Sequence, residues 1–258
     1  MRIDLTPNRF KEALSAGRKQ VGFWLTLASP AATEIAAEAG FDWVLIDMEH
    51  SPNDLSDVVH QLRACGRGNA EPVVRVPELN VALVKRLLDV GVRSFMFPNI
   101  SSVEEARLAV ASTRYPPAGI RGVAGTTRAS HYGRAANYFT EAAKHICIVV
   151  QLEGADALAQ AHEIALVPGV DGLFIGPNDL AASLGHIGDV SVPSVQAAVR
   201  SGLETIGSSG RAAGFLDFNP ASAMSRFDDG FTFIAVGGDG SSLAKQTSAL
   251  VAAFRSKR

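Results

Sequence analysis

The chain has 258 residues, 47% of them apolar and 19% charged, with a formal net charge of -2. That composition describes a globular protein with ample core, and a nearly neutral chain lacks the basic face that nucleic-acid binding needs. No apolar run approaches the roughly 20 residues of a membrane helix, and the polar, acid-containing opening MRIDLTPNRFKEAL reads as neither signal nor transit peptide. A cytoplasmic protein without nucleic-acid or membrane partners is expected. Cys65 and Cys147 lie far apart among apolar neighbours with no C-x-x-C pattern, which predicts buried free thiols in a reducing compartment.

Short apolar runs alternate with amphipathic stretches from one end to the other. A helical pattern over 9–17 comes first and predicts a lid over the floor of whatever follows. A strand over 21–27 precedes a helix over 31–39, and a strand over 43–47 precedes a helix over 55–65 with Asp54 as its N-cap. Strands over 72–76 and 94–98 lead to helices over 81–90 and 103–112, the second capped by Ser102, while Gly40 and Gly91 stand where helices end. The connection 113–133 is rich in glycine and arginine and has no clear period; loops of such length in compact domains are usually functional or disordered. Beyond it come strands over 146–152, 172–176, 213–216 and 231–236. Their helical partners lie over 155–166, 195–208, 221–229 and 242–254. Strands alternating with helices imply β-α units and a parallel sheet. A count of eight suits a (β/α)8 TIM barrel of the α/β class, a single domain spanning 1–258. No G-x-G-x-x-G follows the first strand, which weakens a dinucleotide-binding sheet.

In such a barrel the active site is built from the C-terminal ends of the strands. Those ends hold a concentration of chemistry. The second strand runs into Asp47, Glu49 and His50, the third delivers Arg75, the fifth Gln151 and Glu153, and the sixth Asp179 in IGPNDL. The opposite ends offer only Asp42, Glu71 and His145. Glu153 and Asp179 come from neighbouring strands, and two carboxylates without cysteine or clustered histidine suit a hard divalent cation, Mg²⁺ or in its place Mn²⁺ or Co²⁺. The plainer reading makes each acid the cap of the helix that follows it. His50 is the natural proton-transfer group, because histidine titrates near neutrality, and Asp47, Glu49 or Asp89 could orient it. Arg75 could hold a carboxylate or stabilise an oxyanion as a bidentate donor, or simply pair with an acid nearby. The lysines, at 11, 19, 85, 144, 245 and 257, avoid every strand end, which speaks against a Schiff-base aldolase. Gly237-Gly238-Asp239-Gly240 resembles a phosphate loop, and Arg121 and Arg128 could receive a second acidic group of a substrate. No G-x-S-x-G, H-E-x-x-H or P-loop is present.

FDWVLIDMEHSPND, PVVRVPELN, RYPPAGIRGVAG, VVQLEG and GVDGLFIGPNDLAASLG occur in this order over about 21–236. Together they resemble the HpcH/HpaI family of class II pyruvate aldolases. The segment RGVAGTTRASHYGRAANYF is closer in spacing to the 2-keto-3-deoxyglucarate branch than to the 4-hydroxy-2-oxoheptanedioate branch, though its residues differ from both. The resemblance implies a barrel of the phosphoenolpyruvate/pyruvate type. It implies a divalent metal cofactor and reversible cleavage of a 4-hydroxy-2-oxo acid to pyruvate and an aldehyde, in the catabolism of sugar acids or aromatic compounds. It makes His50 the catalytic base and Asp89 the carboxylate that raises its basicity. Arg75 becomes the oxyanion stabiliser, Glu153 and Asp179 the metal ligands, and Gln151 and position 178, here Asn178, substrate contacts, with Asp179 bordering the substrate as well. Asn178 stands where relatives often carry serine or alanine, so contact through its backbone N–H is expected. Asp47 and Glu49 would shape the metal's outer shell. A homo-oligomer, a hexamer built as a trimer of dimers that exchange the helix over 242–254, is also implied. The alternatives are a lyase of the same superfamily acting on a CoA thioester such as citramalyl-CoA, and a non-catalytic metabolite-binding barrel.

Overall fold

The computed structural model describes residues 5–255, so the first four residues of the polar opening and Lys257 lie outside the described residues. In chain order α1 (Arg9–Ser15) leads into β1 (Gln20–Leu25) and α2 (Pro30–Glu38), then β2 (Trp43–Asp47) and α3 (Leu55–Cys65). β3 (Glu71–Arg75), α4 (Val81–Asp89), β4 (Ser94–Phe97) and α5 (Val103–Ser112) follow. The long connection after α5 carries α6 (Tyr138–Glu141) and one 3-10 turn before β5 (Cys147–Leu152). Next come α7 (Ala155–Ala159), α8 (Ala161–Ala165), β6 (Gly172–Ile175), α9 (Pro177–Ser183) and α10 (Pro193–Ser208). β7 (Ala212–Leu216), α11 (Pro220–Asp229), β8 (Phe233–Gly238) and α12 (Asp239–Arg255) complete the chain. Neighbouring strands pair in parallel in sequence order, and β8 returns to β1, closing the expected (β/α)8 barrel as one domain.

Period-two alternation divides each strand between two cores. In β2 Trp43 and Leu45 face the barrel axis, and Val44 and Ile46 face the helices. The axis is plugged by aromatic rings. Phe10 from α1 lies 5.5 Å from Trp43 and 5.6 Å from Phe233, and Phe174 lies 5.9 Å from Phe233 and 5.8 Å from Trp24. Each fully buried ring contributes about 1.5–3 kcal/mol, and α1 is therefore the floor lid that the sequence predicts. Two glycines make the plug possible: a Cβ at Gly22 would come within 2.0 Å of the Trp43 indole, and one at Gly214 within 2.3 Å of Phe233. Cys65 and Cys147 are buried free thiols.

Three stretches differ from the sequence expectation. The helix expected over 155–166 breaks at Gln160, whose side chain donates to the Ser101 carbonyl at 3.0 Å. A helix begins at Pro177, three residues before the expected start, because proline fits the first helical turn, so Asp179 lies inside that turn and does not precede it. The glycine-rich run after β8 is no loop. Gly237 and Gly238 stay in the strand, and Asp239 opens α12 directly. Its carboxylate accepts from the backbone N–H groups of Thr26 (2.8 Å) and Leu27 (3.1 Å) and from Gly240 N–H (2.7 Å). The chain's own carboxylate thus already engages the Gly240 N–H of that run.

Candidate active site

The mouth of the barrel is the last inward layer of the strands. Asp47 and Arg75 end β2 and β3 as register partners, so alternation points both into the axis above the aromatic plug. The Arg75 guanidinium donates from Nε to Asp47 Oδ1 at 2.9 Å and from Nη2 to Oδ2 at 2.7 Å, a bidentate fork. Its Nη1 lies 2.8 Å from Glu49 Oε2. Trp24, the inward residue near the end of β1, donates its indole N–H to Asp47 Oδ2 at 3.3 Å and presents its ring face to Arg75, 5.0 Å from the guanidinium carbon. Burial alone would raise the Asp47 carboxyl, but the bonds and charge of Arg75 outweigh it and hold that group below its ordinary range. Burial likewise works against the Arg75 charge, and Asp47 and Glu49 reverse that and raise it.

The loop after Asp47 is folded back tightly. The Asp47 carbonyl accepts from the Ser51 hydroxyl and from Asn53 Nδ2, and Asn53 Oδ1 accepts from Gln61 on α3. Glu49 N–H donates to Asp47 Oδ1 at 2.9 Å. This arrangement leaves His50 at the rim with 67% of its side chain exposed and Nε2 3.9 Å from Glu49 Oε1.

Across the mouth, Gln151 is the last inward residue of β5, and Glu153 follows on the same side. Asn99, just past β4, has a left-handed backbone (φ 52), which asparagine tolerates better than most residues. Its N–H donates to Glu153 Oε2 at 2.8 Å, while Gln151 Nε2 donates to Oε1 at 3.2 Å. Gly176 leaves the room that this carboxylate needs, since a Cβ there would lie 2.8 Å from Glu153 Cγ and Oε1. Burial, reinforced by the charges of Glu49 and Asp179, pushes the Glu153 carboxyl up to about 7. Burial also raises Glu49, against the pull of Arg75. Glu153 and Asp179 border one cavity together with His50, Arg75, Gln151 and Asn178, and Trp24, Phe174, Leu216 and Phe218 close its apolar side.

Four carboxylates, Asp47, Glu49, Glu153 and Asp179, therefore surround the permanent charge of Arg75 alone. A small hard cation would relieve that surplus, and the donor set fits one: two carboxylates beside Gln151, whose buried Oε1 has no partner. Among the described residues no three His, Cys, Asp or Glu side chains converge to hold a metal by themselves, so water and substrate would supply the remaining ligands.

Not every expected residue is here. α4 runs from the mouth to the floor and ends at Asp89, whose Oδ1 accepts from Arg121 Nη2 at 3.2 Å and whose carbonyl accepts from Ala129 N–H at 3.0 Å. The expected pairing of Asp89 with His50 is thus not made within one chain, because helix direction carries the two to opposite ends. Nor do Arg121 and Arg128 face the mouth. Arg121 is buried on the floor against Tyr115 and Tyr138, and Arg128 donates to the Val90 carbonyl. The sequence reading omitted Trp24, Asn99 and Phe218. Trp24 could have been found by counting inward positions along β1, and Asn99 from its place directly after a strand end in FPN.

The sequence profile of the HpcH/HpaI aldolase/citrate lyase family matches residues 20–246. The chain is 44% identical over 255 residues to the 5-keto-4-deoxy-D-glucarate aldolase of Escherichia coli (strain K12), covering 99% of this chain and 100% of that one. It is 47% identical over 249 residues to the hydroxypyruvate/pyruvate aldolase of Cupriavidus necator (strain H16), covering 96% and 93%. An HpcH/HpaI aldolase/citrate lyase family protein from Burkholderia cenocepacia J2315 superposes with a TM-score of 0.93 at 42% identity, covering 96% of this chain and 99% of that one.

Proposed function

The chain belongs to the HpcH/HpaI aldolase/citrate lyase family, and on that premise we propose that its mouth cavity cleaves a 4-hydroxy-2-oxo acid reversibly to pyruvate and an aldehyde. It is a class II aldolase, a carbon–carbon lyase. The observation that carries the reading is the surplus of carboxylates around Arg75: Asp47 and Glu49 in contact with it, and Glu153 and Asp179 bordering the same cavity. Substrates of the 2-keto-3-deoxyglucarate kind, with 4-hydroxy-2-oxoheptanedioate as a relative, suit the polar half of the cavity.

His50 takes the proton of the C4 hydroxyl through a bound water, its imidazole standing at the rim where water reaches it. The C3–C4 bond breaks, its electron pair moves toward C2, and the aldehyde leaves. Arg75, fixed by Asp47 and Glu49 and backed by Trp24, places a rigid positive charge where the C2 oxygen becomes an enolate, the electrostatic contribution that usually dominates such barriers. The proton held by His50 then returns to C3 and gives pyruvate. Gln151 offers an unpartnered Oε1 to a substrate hydroxyl or water, and Asn178 offers the backbone N–H of the first turn of α9. A divalent cation, Mg²⁺, Mn²⁺ or Co²⁺, held by Glu153 and Asp179 would polarise the C1 carboxylate and C2 carbonyl and share the charge that develops there.

Asp89 keeps a part in this reaction only through a second copy of the chain, since its own barrel separates it from its own His50. An oligomer is supported independently by α12, where Leu243, Leu250, Val251 and Phe254 are 50–77% exposed among the described residues. A helix exchanged between subunits of a hexamer would cover them. Among the described residues no helix is long and apolar enough to cross a membrane.

The test is pyruvate release from 2-keto-3-deoxyglucarate with and without EDTA. Activity is expected to vanish on chelation and to return with Mg²⁺ or Mn²⁺, and activity that survives full chelation sinks the metal role. Undiminished turnover in His50→Ala sinks the base. Calorimetric titration with Mg²⁺ and then pyruvate separates an aldolase from a scaffold, which would bind neither.

A further inference from the structure

The floor of the barrel holds a second cavity, about 340 Å³, on the far side of the aromatic plug from the mouth, and the reaction uses none of it. Its walls come from the last turns of α3 and α4, the strap 128–134 and the residues that enter β5. Arg63, Arg93, Arg128, Arg134, His131 and His145 line it, and no aspartate or glutamate among the described residues does. Arg93 is committed: it reaches Glu71 at 2.6 Å and the Thr6 carbonyl at 2.6 Å. Among the described residues the other arginines meet no carboxylate: Arg128 Nη1 donates to the Val90 carbonyl (2.6 Å) and Arg134 Nε to the His131 carbonyl (2.8 Å). Arg63 lies in the last turn of α3, exposed, without a carboxylate partner among the described residues.

Among the described residues, three carboxylates at this end already have partners. Glu71 takes Arg93 and Arg9, Asp89 takes Arg121, and Glu141 takes Lys144. Positive charge is therefore left in excess inside a concave wall. Its mark is on the groups themselves: burial and then the Arg63 charge lower Arg128, and burial and then the Arg93 charge lower His145. One wall is also held in an unfavourable backbone. His131 and Tyr132 are consecutive non-glycine residues at φ 52 and 57, followed by Gly133 at φ 84, a conformation that persists only where the surroundings enforce it. It turns the strap so that His131, Tyr132 and Arg134 face the same space.

We propose that this floor cavity binds a small oxyanion carrying two or more negative charges, a phosphate monoester or a polycarboxylate. Guanidinium forks match either, since each presents paired oxygens that accept two parallel N–H bonds. The site is separate from the mouth of its own barrel in charge as well as position: that mouth is short of positive charge, the floor short of negative.

The test is calorimetry on the full metal-free chain at constant ionic strength set with chloride, titrating inorganic phosphate in one arm and citrate in the other. Wild-type protein is expected to bind at least one of them saturably at one site per chain. The arm that binds tells phosphate chemistry from carboxylate chemistry. Arg63→Glu changes an exposed helix position and should leave the fold intact by circular dichroism, yet weaken binding about tenfold or more, the effect of losing one charged donor. Arg128→Gln should do the same, and Arg75→Lys in the mouth should leave the binding unchanged. The proposal is overturned if neither anion saturates, or if Arg63→Glu and Arg128→Gln bind as wild type does while Arg75→Lys does not.

Discussion

Two buried arginines, Arg75 at the mouth and Arg121 on the floor, begin from similar surroundings. Each meets an aspartate, and each lies over an aromatic face, Trp24 at 5.0 Å for one and Tyr115 at 4.4 Å for the other. Their balance differs. Arg75 uses Nε, Nη1 and Nη2 on two carboxylates and still borders two more, so its neighbourhood is negative. Arg121 has one carboxylate and the Tyr138 hydroxyl, and among the described residues its Nε and Nη1 find no hydrogen-bond partner. A buried arginine is therefore no sign of an active site in itself. What distinguishes the two is the count of carboxylates around each and whether a cavity opens between them.

Substituting the two arginines tests that distinction most directly. Arg75→Lys loses the bidentate fork and is expected to lower kcat/KM about 10²–10³-fold with the fold retained, the usual cost of one preorganised stabiliser. Arg121→Met removes one partner of a buried pair and should cost on the order of 3 kcal/mol of stability while moving kcat/KM far less. Denaturant midpoints and steady-state kinetics on both variants decide it, and a reversed pattern would falsify the contrast. The next effect concerns Glu153. Its carboxyl titrates at 4.5 ordinarily and at about 7 in the folded protein. Between those values the folded chain holds a proton that the unfolded chain has released, so the stability of metal-free protein falls as pH rises through that window, by on the order of 3 kcal/mol. Glu153→Gln in EDTA should flatten this slope; equal slopes of Tm against pH would mean that the surplus at the mouth is screened. The smallest change is Trp24→Phe. It keeps the ring under Arg75 and removes the N–H bond to Asp47, and a loss of about 1 kcal/mol, roughly fivefold in kcat/KM, is expected.

Most of the fold was legible because barrel strands carry two independent signals, an apolar run and a place in an alternation with helices. β2, α3 and α5 fall where the patterns put them. The misplacements cluster at glycine and proline. Gly237-Gly238 reads as a loop by composition, yet remains strand: Gly238 pairs with Trp24 of β1, and Asp239 finds its donors just past that strand, a contact 213 residues distant that no local pattern encodes. Pro177 starts α9 early for the opposite reason, a purely local preference of proline for the first helical turn. In the mouth, the residue types at strand ends were readable one by one, and so was the opposition of Arg75 to the acids. The failure of Asp89 to meet His50 is a matter of direction: a helix that returns from mouth to floor must carry its last residue away from the strand ends, whatever its chemistry. Trp24 was hidden because an aromatic residue inside a strand looks like core until its polar edge is given a partner.

The bond from Asp239 to the end of β1 has a mechanical meaning. α12 leans on little of its own barrel, yet a single carboxylate roots it to Thr26 and Leu27, the two residues that begin one position past the strand's last, Leu25, and directly follow the segment holding Trp24. That one carboxylate fixes the first turn of α12 to the rim just past β1, so the start of the last helix and the segment that follows Trp24 share an anchor.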